Sequence, residues 1–331
     1  MSAPPPDPLA RAAVGLALSG RYGDLTSQAA HGLGVWAREA GVKLQVEDTG
    51  DDPRRIAETY AALAGSVELL FGPYGSGPLR AAQRGLDGRS DVLWNHGGAA
   101  GDPSPRIRVI DVLGPAESYW AGLSAVLSRK RIDPTRIVVA HAPTGFGERT
   151  ADGAVASLGK VGAAPLAVAT FDEGSASELA GVIDAMQATA VIACGRIEDD
   201  LALIAEIPPG LTAVGAIVAG IDLAHERLGP RVLGCFGPAQ WFPTGRHPLG
   251  EGAQYPAAQA YAAGQVAAAA MAAAGSRQPD AIWDAARALR MRTLIGPFRV
   301  DHVGRQRAHR PLLVEWLGTP VGPRRRVIWR P

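Results

Sequence analysis

The run Leu69-Leu70-Phe71-Gly72-Pro73-Tyr74-Gly75-Ser76-Gly77-Pro78 places a hydroxyl and a glycine turn between an apolar segment and Leu79-Arg80-Ala81-Ala82. A short apolar run bounded by Gly and Pro reads as a buried parallel strand, and Pro78 suits the first turn of a helix. Such a strand, turn and helix start brings backbone N–H groups, the Ser76 hydroxyl and the positive end of a helix dipole to the carboxyl edge of a sheet. That is chemistry for holding a small polar or anionic ligand, although an ordinary strand-to-helix connection also uses Gly for its backbone angles. Among seven histidines only His96, in Asn95-His96-Gly97-Gly98, falls in a promising turn. As a general base it needs a nucleophile and an orienting acid, and the sequence identifies neither.

Other catalytic signatures are missing. A nicotinamide enzyme needs G-x-G-x-x-G after its first strand, where this chain has Ser19-Gly20-Arg21-Tyr22-Gly23. Asp48 resembles a ribose-binding carboxylate in position, but Glu47-Asp48-Thr49-Gly50-Asp51-Asp52 is better explained as a polar loop and helix cap. There is no P-loop, no H-E-x-x-H and no G-x-S-x-G, and His225-Glu226 lacks the second histidine that zinc requires. The expectation is a non-enzymatic protein without cofactor or metal. What remains is a set of turns just past apolar runs: Ser19 and Tyr22, Gly75 and Ser76, Asn95 to Gly98, Phe146, and Arg196 after Ala193-Cys194-Gly195. In open α/β sheets ligands bind there. Each has a plainer reading when taken singly: Tyr22 as a packing aromatic, Asn95 as a turn former, Phe146 as core, Arg196 as a solvated charge facing Glu198.

These turns need a scaffold, and the chain is long enough to build two. Its 331 residues suit two domains, and 47% hydrophobic with 20% charged residues is the composition of a globular protein. A net charge of +1 gives no global field toward nucleic acid or a membrane. Arg324-Arg325-Arg326 is a local basic run, read here as a solvated turn. Cys194 and Cys235 lie in apolar runs and read as small buried hydrophobes. Met1-Ser2-Ala3-Pro4-Pro5-Pro6-Asp7-Pro8 reads as an irregular leader with no basic or long apolar segment, so the protein is either cytoplasmic or a chain whose leader has been removed. No run is long enough to cross a membrane.

Strands are expected at 12–18, 42–46, 69–71, 91–94 and 106–110, with helices at 27–40, 51–63 and from 78, the second opening on an Asp-Asp-Pro cap. The rhythm then restarts: strands at 136–140, 165–170, 190–194, 212–216 and 231–235, helices at 116–127, 148–158, 178–186 and 199–204. Two further helices at 257–274 and 280–289 precede a closing hairpin of 312–316 and 327–329. This alternation means an α/β fold with parallel sheets carrying helices on both faces, in two lobes.

The pattern resembles the type I periplasmic binding proteins of the branched-chain amino acid and amide receptor class. The residues that carry the resemblance are Leu18-Ser19-Gly20-Arg21-Tyr22-Gly23-Asp24, the acidic loop into Pro53, Phe71-Gly72-Pro73-Tyr74-Gly75-Ser76, Gly145-Phe146-Gly147, Gly237-Pro238-Ala239-Gln240-Trp241-Phe242-Pro243, Leu313-Val314-Glu315-Trp316 and Val327-Ile328-Trp329. It implies two doubly wound lobes joined by a three-segment hinge, residues 1–113 with 246–303 and residues 114–245 with 304–331, crossing near 112–115, 242–245 and 303–305. It implies closure on a small-molecule solute and a transporter permease as partner, with a cytoplasmic ligand sensor acting on a regulatory protein as the alternative use of the fold. Tyr22, Ser76 and the Gly97-Gly98-Ala99 backbone would hold the ligand from the first lobe, Phe146 would cover it from the second, and Trp241 joins the expected set. Two departures matter. The ammonium-binding acid of amino-acid receptors would fall near Ile217-Val218, where this chain has none, and Arg196 stands where relatives often carry an aromatic or small residue. A small polar ligand, a carboxylate or an amino-acid derivative, is expected, with its carboxylate held by Arg196, Ser76 and the Gly97-Gly98 amides.

Overall fold

In the computed structural model, which describes residues 10–101, 106–207, 210–320 and 322–331, the first apolar run forms β1 (Arg11–Leu16) and leads into α1 (Gly23–Ala40). Then follow β2 (Lys43–Asp48), α2 (Pro53–Leu63), β3 (Leu69–Phe71), α3 (Ser76–Gly85), β4 (Val92–Asn95) and β5 (Arg108–Asp111). The Asp-Asp-Pro signal works as expected: Asp52 caps α2 by accepting from Arg54 N, and Pro53 occupies the first helical position. Next come α4 (Leu123–Lys130), β6 (Ile137–His141), α5 (Gly145–Gly159), β7 (Ala167–Thr170), α6 (Ala176–Ala185), β8 (Ala190–Cys194), α7 (Ile197–Glu206), β9 (Ala213–Ala216), α8 (Leu223–Leu228) and β10 (Phe236–Ala239). The chain ends with α9 (Tyr255–Ala274), α10 (Pro279–Ala288), β11 (Met291–Thr293), β12 (Gly296–Phe298), β13 (Leu312–Thr319) and β14 (Gly322–Trp329). The expected leader at residues 1–8 lies outside the described residues.

Two compact units result, residues 1–113 with 243–309 and residues 114–242 with 310–331. In the first, five parallel strands lie in the order β2-β1-β3-β4-β5. Ile56, Tyr60, Leu79 and Leu86 of α2, α3 and its end cover Ala13, Leu70 and Leu93 on one face. On the other, Trp36 of α1 packs edge-on to Phe71, ring centroids 5.3 Å apart. In the second unit the order is β14-β13-β10-β9-β8-β6-β7, parallel from β10 to β7, with β13 and β14 antiparallel at the edge.

The structure departs from the sequence reading where tertiary contacts decide. Residues 231–235 are not a strand: a 3-10 turn at Gly229–Val232, opened by Gly-Pro, delays β10 to Phe236. The helix expected over 116–127 is a 3-10 turn at Ala116–Ser118 followed by α4 with Gly122 as its N-cap, where a Cβ would lie 2.1 Å from the Trp329 indole. The β11–β12 hairpin was not anticipated, its strands being three residues each. Arg324-Arg325-Arg326 is not a turn but the middle of β14: Arg324 and Arg326 are exposed, whereas Arg325 is nine-tenths buried, paired with Asp222 at 2.6 Å and lying over the Trp316 and Phe242 rings. Residues 303–305, the expected third crossing, stay with the first unit; Gly304 accepts from Asp111 N at 2.9 Å, and a Cβ there would strike Val109 O. The chain leaves that unit only after His309. Cys194 and Cys235 are free and buried, and burial pushes both thiols up to about 12. Among the described residues no helix is long and apolar enough to cross a membrane, and no group of three or more His, Cys, Asp or Glu could hold a metal.

Candidate ligand-binding rims

Each sheet reverses its winding once, and those are the points where an open α/β sheet leaves a crevice at its carboxyl edge. In the first unit the reversal falls between β1 and β3, so the turn with Ser19 and Tyr22 neighbours the turn with Tyr74, Gly75 and Ser76. In the second it falls between β6 and β8, bringing the Thr144–Phe146 turn beside Gly195 and Arg196.

On the first rim, Ser19 is exposed and hydrogen-bonded to Asp48, an interaction that holds the Asp48 carboxyl down at about 2. Tyr22 is half-buried at the N-cap of α1. Gly75 has φ +106°, a backbone conformation that L-residues rarely adopt, and caps the start of α3 without any side-chain bond to the helix N–H groups. Its own N–H bonds Gly97 O at 3.0 Å, and Tyr74 bridges Gly97. Gly97 must lack a side chain, since a Cβ would lie 2.5 Å from Tyr74 Cα. Ser76 Oγ accepts from Ala100 N at 3.0 Å, so the turns after β3 and β4 are laced together.

Asn95 is the knot of that lacing. It is fully buried; its Oδ1 accepts from Gly97 N at 3.2 Å and Gly98 N at 2.9 Å, while Nδ2 donates to Gly98 O and Asp111 Oδ1 at 2.8 and 2.7 Å. The Gly97 and Gly98 amides expected to face a carboxylate are therefore occupied. An Asx turn forms because an Asn side chain two or three residues before N–H groups closes on them, and sequence order alone does not distinguish that from a ligand contact. His96 is also withdrawn from the rim: it is fully buried. Burial pushes its imidazole down to about 4 against a small opposing effect of the Gly72 backbone.

On the second rim, Thr144 caps α5 by accepting from Gly147 N at 3.0 Å. This sets Phe146 half-buried in the first turn, edge-on to Tyr119 with centroids 5.4 Å apart. Arg196 is not an unengaged guanidinium. Its Nε and Nη2 reach Asp199 Oδ2 and Oδ1 at 2.8 and 3.0 Å, and its own N–H bonds Oδ2 at 2.9 Å. Asp199 is fully buried and also accepts from Glu173 N at 3.0 Å. Asp200, equally buried, takes Gly195 N at 2.8 Å and Val218 N at 3.0 Å, tying the turn after β8 to the turn after β9. Burial pushes its carboxyl up to about 7. Trp241, just past β10, is buried. Sequence reasoning offered Asp199 only as a surface partner of Arg196 and missed Asp200, though three acids in the first turn of a predicted helix, Glu198, Asp199 and Asp200, were the available sign. It also missed the buried Gln240, whose amide brackets Gly114 with bonds of 2.9 and 3.0 Å.

The two buried titratable groups give stability slopes of opposite sign. His96 has a folded value below its ordinary 6.5, so the unfolded chain binds the extra proton and the contribution rises with pH from about 4 to about 6.5. Asp200 has a folded value above its ordinary 3.8, so the native state holds the extra proton and its contribution falls as pH rises from about 4 to about 7. Denaturant melts across that window should therefore lose their falling component in Asp200→Asn and their rising component in His96→Phe. Parallel profiles for wild type and both variants would contradict the assigned environments.

A family model described as periplasmic binding protein matches residues 11–318. A leucine-binding protein, LivK, of Thermotoga maritima superposes with a TM-score of 0.81 at 16% identity, covering 98% of this chain and 99% of that one. An ABC-transporter solute-binding protein of Rhodopseudomonas palustris HaA2, in complex with p-hydroxybenzoic acid, gives 0.82 at 14% identity over 97% and 96%. LivJ of Streptococcus pneumoniae, a branched-chain amino acid transporter substrate-binding protein in complex with isoleucine, gives 0.77 at 12% over 97% and 100%. A search of curated protein sequences finds no match.

Proposed function

Because the chain belongs to the periplasmic binding protein family, we propose that it is the non-enzymatic solute-binding component of an ABC-type transporter and that its ligand is a small carboxylate lacking an α-amino group. One observation carries the choice of ligand. A buried ammonium needs a carboxylate, and of the three acids in the first turn of α7 the two that are fully buried, Asp199 and Asp200, are engaged by Arg196 and backbone N–H groups, which leaves half-buried Glu198 as the acid that competes with this reading. At Ile217-Val218 the Val218 N–H is turned inward to Asp200. An acid, by contrast, meets donors: the Tyr22 and Ser76 hydroxyls and the start of α3, which no side chain caps. Phe146 with Tyr119 behind it suits an apolar or aromatic body, which the Rhodopseudomonas relative's p-hydroxybenzoic acid has and which favours that class over the isoleucine of LivJ.

The proposed ligand contacts lie at strand-end turns in each unit, so substitutions in either should weaken binding. Tyr22→Phe and Ser76→Ala should each cost about 1 kcal/mol of binding free energy, roughly fivefold in Kd, with the fold retained. Phe146→Ala should cost at least as much. Calorimetric titration of the three variants checks this; unchanged affinity in all three places the site elsewhere.

A further inference from the structure

We propose that the interior of the first unit, between β4 and α9, is a hydration site in which one or more ordered waters join the Trp94 indole N–H, the His96 imidazole and the Gln259 amide oxygen. All three side chains are essentially inaccessible, at 0, 0 and 1% exposure, and Trp94 Nε1, both His96 ring nitrogens and Gln259 Oε1 have no hydrogen-bond partner in the protein. Buried polar atoms are very rarely left in that condition, because each one unpaired costs about 1–3 kcal/mol. The Gly72 backbone lies beside His96 without completing a bond.

The fold sets Trp94 and His96 on the side of the sheet where α9, which carries Gln259, packs against β4. Trp94 and His96 are two residues apart along β4 and its end, so they point to the same side of the sheet. Trp94 is in register with Phe71 of β3, whose ring meets Trp36 of α1, and Trp36 in turn lies under Gly264 of α9. That is the α9 face, opposite the one that Leu70 and Leu93 share with α2 and α3. Helix α9 starts at the carboxyl edge, where Tyr255 Oη stands 3.4 Å from Tyr74 Oη, and Gln259 is one turn further in, between that edge and Gly264. Its neighbours Ala257, Ala258, Ala260, Ala262 and Ala263 carry only methyl side chains. A donor, an acceptor and an imidazole that carries one of each are the two to four polar partners that an internal water requires. A chain of small apolar helix residues against a strand bearing Trp and His is therefore wet by construction. Since His96 directly precedes Gly97 of the ligand rim, the water also anchors that turn from below.

A high-resolution crystal structure of the full chain tests this. The expected result is water density within hydrogen-bonding distance of Trp94 Nε1 and of Gln259 Oε1 or an imidazole nitrogen. In Gln259→Leu that density should weaken or vanish and the melting temperature should fall by about 2–4 °C. Absence of density in the wild type, direct bonding among the three side chains, or a Gln259→Leu protein at least as stable as wild type would each overturn the proposal. If Gln259→Leu fails to fold, the wild-type density decides.

Discussion

Gln306→Leu should destabilise the first unit by about 4 kcal/mol, the largest effect expected of any single substitution outside the hydrophobic core. Gln306 is 2% exposed. Its Oε1 accepts from Arg299 N, Arg307 N, Ala308 N and His309 N at 3.2, 3.0, 3.0 and 3.3 Å, and Nε2 donates to Val112 O at 3.0 Å. Leucine fills the volume but leaves a carbonyl and several N–H groups buried without partners. The position magnifies the loss. Val112 and His309 are the last residues but one and the last of the first unit before the chain passes to the second, and on the far side of the first passage Gln240 brackets Gly114 in the same manner. One buried glutamine per unit thus holds the backbone firm up to the Leu113–Gly114 junction. Urea denaturation of Gln306→Leu and Gln240→Leu measures the effect. A loss below about 1 kcal/mol for Gln306→Leu would mean that water reaches these groups and that the clamp is not a structural one.

Arg196→Ala should cost about 3 kcal/mol in the stability of the second unit, because it strands the Asp199 carboxylate inside the protein. The guanidinium is about a third exposed, which moderates the figure, and Asp199 retains its two backbone donors. The paired substitution Arg196→Leu with Asp199→Asn removes both charges and keeps a carbonyl oxygen for a backbone N–H, so it should recover at least half of the loss. Thermal unfolding of the two variants separates these outcomes. A single substitution as stable as wild type would show that the pair is a solvated one, the reading that the sequence alone favours. The consequence for function is practical: lost ligand affinity in Arg196→Ala reports a disordered turn as much as a missing contact, and only the paired variant isolates the charge.

Much of the scaffold was legible because local rules and tertiary structure agree in it. Leu69-Leu70-Phe71 before Gly-Pro-Tyr-Gly-Ser is a buried strand and a helix start on any reading, and Asp52 with Pro53 is a cap that needs no partner. The strand-end turns followed, since sheet order puts them at the reversal points. What was not legible is which way polar side chains turn. Asn95 faces inward to Gly97 and Gly98, His96 is swallowed beside α9, and Arg196 folds back on Asp199; each is a three-dimensional choice between a ligand and a neighbouring backbone. Arg325 escaped the reading of its run for a related reason. A charged run reads as solvated unless the partner is known, and Asp222, Trp316 and Phe242 are distant in sequence.

The proposed ligand class rests most heavily on the strand-end donors for an acid and on the engagement of Asp199 and Asp200 by Arg196 and backbone N–H groups. Calorimetric titration of the wild-type protein with matched pairs of ligands, each acid beside its α-amino counterpart and aromatic as well as branched aliphatic bodies included, tests that directly. Saturable one-to-one binding of an acid, tighter by at least about tenfold than its amino-acid partner, is the predicted result. An amino acid that binds more tightly than its deaminated analogue would contradict it, and would point to Glu198 at the second rim as the carboxylate that receives the ammonium.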